Sequence, residues 1–122
     1  MDYQWWPGQP VFEVSVTGGV ANREQAFNLA KTMVDQIEGS GYPHVIVILD
    51  LSDLGQSPSA AALLGGALPE TPKIEHMILI NAPLLMRLAA SAFVHLRDKL
   101  HFVKNRSQAD AKAQTLLFRL PK

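Results

Sequence analysis

The sequence predicts an α/β domain: a mostly parallel central sheet of about five strands flanked by about four helices, in the order β-β-α-β-α-β-α-β-α. Three observations predict it. Residues 45–49 form an unbroken, largely β-branched run, as a strand covered on both faces requires, and residues 74–80 read as a second core strand. Apolar residues recur at helical spacing in other segments. The two kinds of segment alternate, which is the pattern of strand–helix–strand units with right-handed crossovers.

Taken in order, residues 3–6 read as a strand, Pro7-Gly8-Gln9-Pro10 as a reversal, and residues 11–17 as the returning strand. In that strand Phe12, Val14 and Val16 alternate with Val11, Glu13, Ser15 and Thr17. The period of two gives one apolar and one mixed face, as a half-buried antiparallel strand needs. Trp5 and Trp6 are adjacent and point to opposite faces, so one packs inward and the other stays near the surface. Gly18-Gly19 breaks the pattern. Asn22 caps the next helix with Gln25 as its box partner. Ala26, Ala30, Met33 and Ile37 form the apolar stripe, widened by Phe27 and Val34. Gly39 and Gly41 suit the exit, and Pro43 blocks continuation.

After the central strand, Ser57-Pro58 pairs a capping residue with a proline at the first helical position. Residues 60–68 then form a short helix, weakened by Gly65-Gly66. Pro69 and Pro72 bracket a loop before the strand at 74–80. Asn81 to Pro83 begin another helix, whose stripe is Leu85, Leu88, Ala89, Ala92, Phe93 and Leu96. Residues 101–103 are a short last strand. Ser107 and Asp110 form a capping-box-like pair for the final helix, which buries Ala109, Ala113, Leu116, Leu117 and Leu120. All 122 residues read as a single domain, with an N-terminal hairpin at 1–17 and a core at 18–120.

Composition removes several function classes. Hydrophobic residues make up 48% of the chain, enough apolar surface to exclude disorder. Lys plus Arg number 11 and so do Asp plus Glu, so no basic excess exists to neutralise nucleic-acid phosphates. The near-zero net charge leaves homodimer formation open. With no cysteine there is no disulfide, thiolate metal site or cysteine nucleophile. The absence of a signal pattern before Val11 and the shortness of the longest apolar run predict a cytoplasmic, not transmembrane, protein.

Catalytic signatures are absent. There is no Gly-x-Ser-x-Gly elbow, no His-Glu-x-x-His, no dinucleotide fingerprint and no Walker loop. His44, His76, His101 and His95 lack partners at metal spacing, so no metal, cofactor or enzymatic role is expected. The candidate surface lies beyond the carboxyl end of the central strand, where open α/β sheets bind ligands. There Asp50, Ser52, Asp53, Ser57 and Ser59 lead into a helix N-terminus, which suits an anion. The same residues equally serve as turn formers and a cap. The helix at 60–68 has no charged face, so Leu63, Leu64 and Leu68 are either covered by the domain or offered to a partner.

Over about residues 9–118 the order of these motifs resembles the STAS domain of anti-sigma factor antagonists, and more closely its divergent SpoIIAA-like relatives, which share a fold with Sec14-type lipid-binding domains. Val14-Ser15-Val16-Thr17-Gly18-Gly19-Val20 is similar to the family's opening strand, Gly and helix. Val47-Ile48-Leu49-Asp50-Leu51-Ser52 is similar to its core strand, and Phe102-Val103 with Ala109 and Ala113 to its closing unit. The resemblance implies a SpoIIAA/STAS-like fold and a non-catalytic protein-binding module in bacterial regulation, with an unidentified protein partner. Its alternative implication is a carrier of a small apolar or lipid-like ligand. In regulated family members the core strand leads to Asp-Ser-Ser-Gly, whose first serine is phosphorylated. That serine falls on Ser59, but Pro58, Ala60 and Ala61 replace its neighbours, and modification of Ser57 or Ser59 stays open.

Overall fold

The computed structural model describes residues 2–16, 22–52, 71–82, 84, 87 and 97–121. Strand β1 (Asp2–Trp5) and β2 (Val11–Ser15) are joined by the turn at Pro7-Gly8, where Gly8 takes a φ of 68°. A side chain is strained at such an angle, and glycine is not. So short a connection can only reverse the chain, and β1 pairs antiparallel with β2. Helix α1 (Arg23–Glu38), strands β3 (Val45–Asp50), β4 (Ile74–Ile80) and β5 (Leu100–Val103), and helix α2 (Arg106–Leu117) complete the described elements, with a 3-10 turn at Arg97–Lys99 leading into β5. The five strands lie side by side in chain order; β2 to β5 are mutually parallel.

The fold-class expectation is corrected on two counts. The sheet is mixed rather than mostly parallel, because the hairpin adds an antiparallel edge. The described residues hold two α-helices rather than about four. The helices expected over 60–68 and from Asn81 to Leu96 lie wholly or mainly outside the described residues, as does Gly18-Gly19. Strand β2 is also not half-buried. It has β1 on one side and β3 on the other, and both of its faces leave water from Val11 to Val14.

Two apolar layers sandwich the sheet. Phe12, Val14, Val47, Leu49, Met77 and Leu79 pack with Ala26, Met33 and Ile37 of α1. Val11, Ile46, Ile48, Ile78 and Ile80 pack with Ala109, Ala113 and Leu116 of α2. The alternation continues through β4 despite a register shift that sets Val45 against Ile74 but Ile46 against His76. Trp5 joins the α1 layer and Trp6 the α2 layer, so each tryptophan is half-buried and neither is left on the surface. Phe27 does not widen the α1 stripe; it is 61% exposed.

The helix starts follow asparagines. Asn22 Oδ1 accepts from the Gln25 N–H, as the sequence predicts. At α2 the cap is Asn105, whose Oδ1 accepts from the Gln108 N–H, and not Ser107. Gln108 Oε1 in turn accepts from the N–H of Lys104, the residue before the cap, so a variant of the capping box forms two residues before the expected one. No helix among the described residues is long and apolar enough to cross a membrane.

Met77 and Ile78 are successive, fully buried and assigned to opposite layers. Met77→Ala and Ile78→Ala should therefore each destabilise the fold by about 2–5 kcal/mol in chemical denaturation. A sheet covered on one side only would make one of the two nearly neutral.

Candidate functional site

Asp50 ends β3 and sits half-buried at the carboxyl edge of the sheet. Its two oxygens are both engaged. Oδ1 accepts the Ser52 N–H at 3.0 Å, an Asx turn that steers the chain off the strand. Oδ2 accepts from Arg106 Nη2 at 3.0 Å. Ser52 is exposed beside it. Of the other residues proposed for this surface, Asp53, Ser57, Ser59, Leu63, Leu64 and Leu68 lie outside the described residues.

The structure adds partners that the sequence reading did not assign. Arg106 is the first residue of α2 and reaches back over the sheet. Its Nη1 meets Glu13 Oε2 at 2.8 Å, so one guanidinium bridges carboxylates on neighbouring strands. Glu13 is buried on the α2 face of β2. It also accepts from Gln4 Nε2 at 2.9 Å and from Trp6 Nε1 at 2.8 Å, so the hairpin is tied to the same cluster. One turn along α2, Asp110 has a buried Oδ1 without a hydrogen-bond partner.

Charge states follow from these contacts. Burial pushes the Glu13 carboxyl up, but the bonds from Gln4, Trp6 and Arg106 outweigh it and hold the group below its ordinary value. Burial likewise pushes Asp50 up, and the Ser52 and Arg106 contacts bring it below. Arg106 is held above its ordinary value by the two carboxylates, against the effect of burial. Asp110 goes the other way: burial and then Glu13 raise it, opposed by Arg106. Glu13 and Asp50 are therefore ionised, bonded groups, unsuited to exchanging protons near neutrality.

A hollow of about 220 Å³ opens over this cluster, lined by Asp2, Tyr3, Gln4, Glu13, Ser15 and Arg106. Its one guanidinium is already spent on two carboxylates. Net negative charge at this face disfavours a phosphate beside Asp50 itself. Among the described residues, no group of three or more His, Asp or Glu side chains is placed to hold a metal ion.

The three described histidines make two separate contacts. His44 Nδ1 contacts Glu75 Oε1 at 2.9 Å. His76 on β4 and His101 on β5 meet each other, Nδ1 to Nε2 at 3.1 Å, at the amino end of the sheet. A groove of about 460 Å³ lies at the same end, lined by Pro10, Tyr42, Pro43 and His44 against Leu117, Phe118, Leu120 and Pro121. No family model, curated protein or solved structure matches the chain.

Arg106→Met removes the cation shared by Glu13 and Asp50. It should destabilise the protein by about 1–3 kcal/mol at neutral pH, chiefly by leaving Glu13 buried without its cation. Because both folded-state carboxyls lie below their ordinary values of 4.5 and 3.8, the stability they contribute is present above those values. It is lost as pH falls through the lowered ones. Denaturation across that acid range should show a shallower pH dependence for Arg106→Met than for the parent chain.

Proposed function

We propose that the chain is a non-catalytic protein-binding module, the role implied by its sequence resemblance to STAS domains. The contact surface is the segment that leaves the carboxyl end of β3, from Asp53 to Ser59, together with Leu63, Leu64 and Leu68. One observation carries the proposal. The acidic groups at that end, Glu13 and Asp50, are locked to Arg106 and to the hairpin as ionised structural anchors, which favours a fixed platform over acid–base chemistry. Beyond that segment, residues 60–68 supply apolar side chains and glycines with no charge among them, a composition that suits the core of a protein–protein contact. Leu64→Asp is the test. Tagged parent and variant chains, both verified as folded by circular dichroism, are compared for the proteins they co-purify. Loss of specific partners from the variant is expected; identical partner sets would remove this surface.

A second reading, a carrier of a small apolar or lipid-like molecule, is favoured by the groove between Pro10, Tyr42 and Pro43 and the end of α2. Its walls are largely apolar, with the His44 imidazole and the Tyr42 hydroxyl as the polar side-chain groups among the lining residues. Native mass spectrometry of freshly purified protein should then show a bound small molecule that survives in Leu64→Asp and is lost in Leu120→Asp. A purely apo mass would count against it.

A further inference from the structure

Helix α2 runs back over the sheet with its two ends held by different means. At its start Arg106 is bonded to Glu13 and Asp50. Its second half rests on Ala113 and Leu116, with Leu117 partly buried. On the same face of the sheet lies the half-buried His76–His101 pair, in register with Ile46 and Ile78 of the α2 layer, with Nδ1 and Nε2 3.1 Å apart. A contact between two imidazole nitrogens needs one proton and one lone pair. The pair can take up one further proton on an outer nitrogen, but a second must occupy the shared lone pair and break the contact.

The charges around the pair make either step unfavourable. The positive charges of Lys99 before β5, of Lys112 on α2 and of Arg119 just beyond its end disfavour protonation of His76, and Glu75 on its own strand favours it; Lys112 and His76 likewise disfavour protonation of His101. Glu75 is the single anion in that set, and it is engaged by His44. We propose that the His76–His101 pair is an acid-triggered latch: protonation repels Lys112 and Arg119 and lifts the second half of α2 from the sheet, while Arg106 keeps the first turn in place.

The direction of the response follows from the burial of the pair. Burial first, and then the surrounding cations, hold both imidazoles below the ordinary histidine value of 6.5. The closed arrangement therefore binds fewer protons than the open one. Its stability is full above that value and declines as pH falls through the lowered one. Glu13 and Asp50 keep their charge throughout that window, because their own values are lowered from 4.5 and 3.8. The two ends of one helix thus respond to acid at different pH. The lifted half carries Leu117 away from Pro10 and Pro43, which widens the groove at that end.

Amide exchange by NMR on the full chain tests this, in steps from about pH 7.5 to about pH 5. Protection at Leu116 and Leu117 should fall by up to about tenfold per pH unit for each proton taken up. Ile37 in α1 and the Trp6 indole N–H on Glu13 should not change. The double variant His76→Gln/His101→Gln should lose the fall. As a second route that leaves the pair intact, Lys112→Gln should move the imidazole titration upward, read from the histidine C2 protons, and shrink the loss of protection. Constant protection at Leu116 and Leu117, a fall shared equally by Ile37, or an undiminished fall in either variant would overturn the latch.

Discussion

Strand β3 cannot be stable unless water is kept from both of its faces. From Val45 to Leu49 no residue is more than 3% exposed, and successive side chains point into different layers. A fully buried aliphatic side chain contributes roughly 1.5–3 kcal/mol, so both layers must be filled. That requirement accounts for the placement of α1 on one side and α2 on the other. It accounts as well for the parallel partners β2 and β4, which carry their own aliphatic rows into the same two layers. The backbone groups of β3 are satisfied on both edges by those neighbours, as burial demands.

A sheet face dedicated to apolar contact admits a carboxylate only on strict terms. Glu13 sits in the α2 layer beside Val11 and Ile48, where an unpaired charge would be prohibitive. Three donors answer it: Gln4 Nε2, the Trp6 indole N–H and Arg106 Nη1, whose second nitrogen, Nη2, is bonded to Asp50. The same cluster fixes the hairpin to the sheet and the first turn of α2 to β3. Position and charge are therefore set together at the end of the sheet from which the chain departs after Ser52. At the opposite end lie the His76–His101 and His44–Glu75 contacts and the Lys73–Glu38 ion pair.

Strands and helix faces were legible in the sequence because period and burial reinforce one another there. The row Phe12, Val14, Val16 and the stripe Ala26, Met33, Ile37 each fill the layer their spacing predicts. The Asn22 cap was legible because its partner lies three residues away. What depends on long-range placement was not. Glu13 reads as one polar residue on a mixed strand face, and only its register against Gln4 and the return of α2 bring Arg106 to it. His76 and His101 are separated by 25 positions and meet because β4 and β5 are neighbours. Ser107 and Asp110 match the same spacing rule as Asn105 and Gln108, and the bond from the Gln108 N–H to Asn105 Oδ1 sets the start of α2. Phe27 was misjudged since an aromatic next to a stripe scores as part of it, whereas the helix turns it outward. The strand-end turn at Asp50 and Ser52 was read correctly as a local feature, and its link to Arg106 was not.

The consecutive tryptophans of the hairpin divide between the two layers. The Trp5 ring stacks on Phe12 at 4.7 Å between centroids and lies 5.5 Å from Tyr42. The Trp6 indole is bonded to a carboxylate on the reverse side. Nature has thereby supplied the chain with a pair of optical probes of dissimilar surroundings, one aromatic and one ionic, separated by a single peptide bond. Emission from chains retaining only one indole would follow the melting of each side of the slab independently, and would tell whether its two halves come apart in concert.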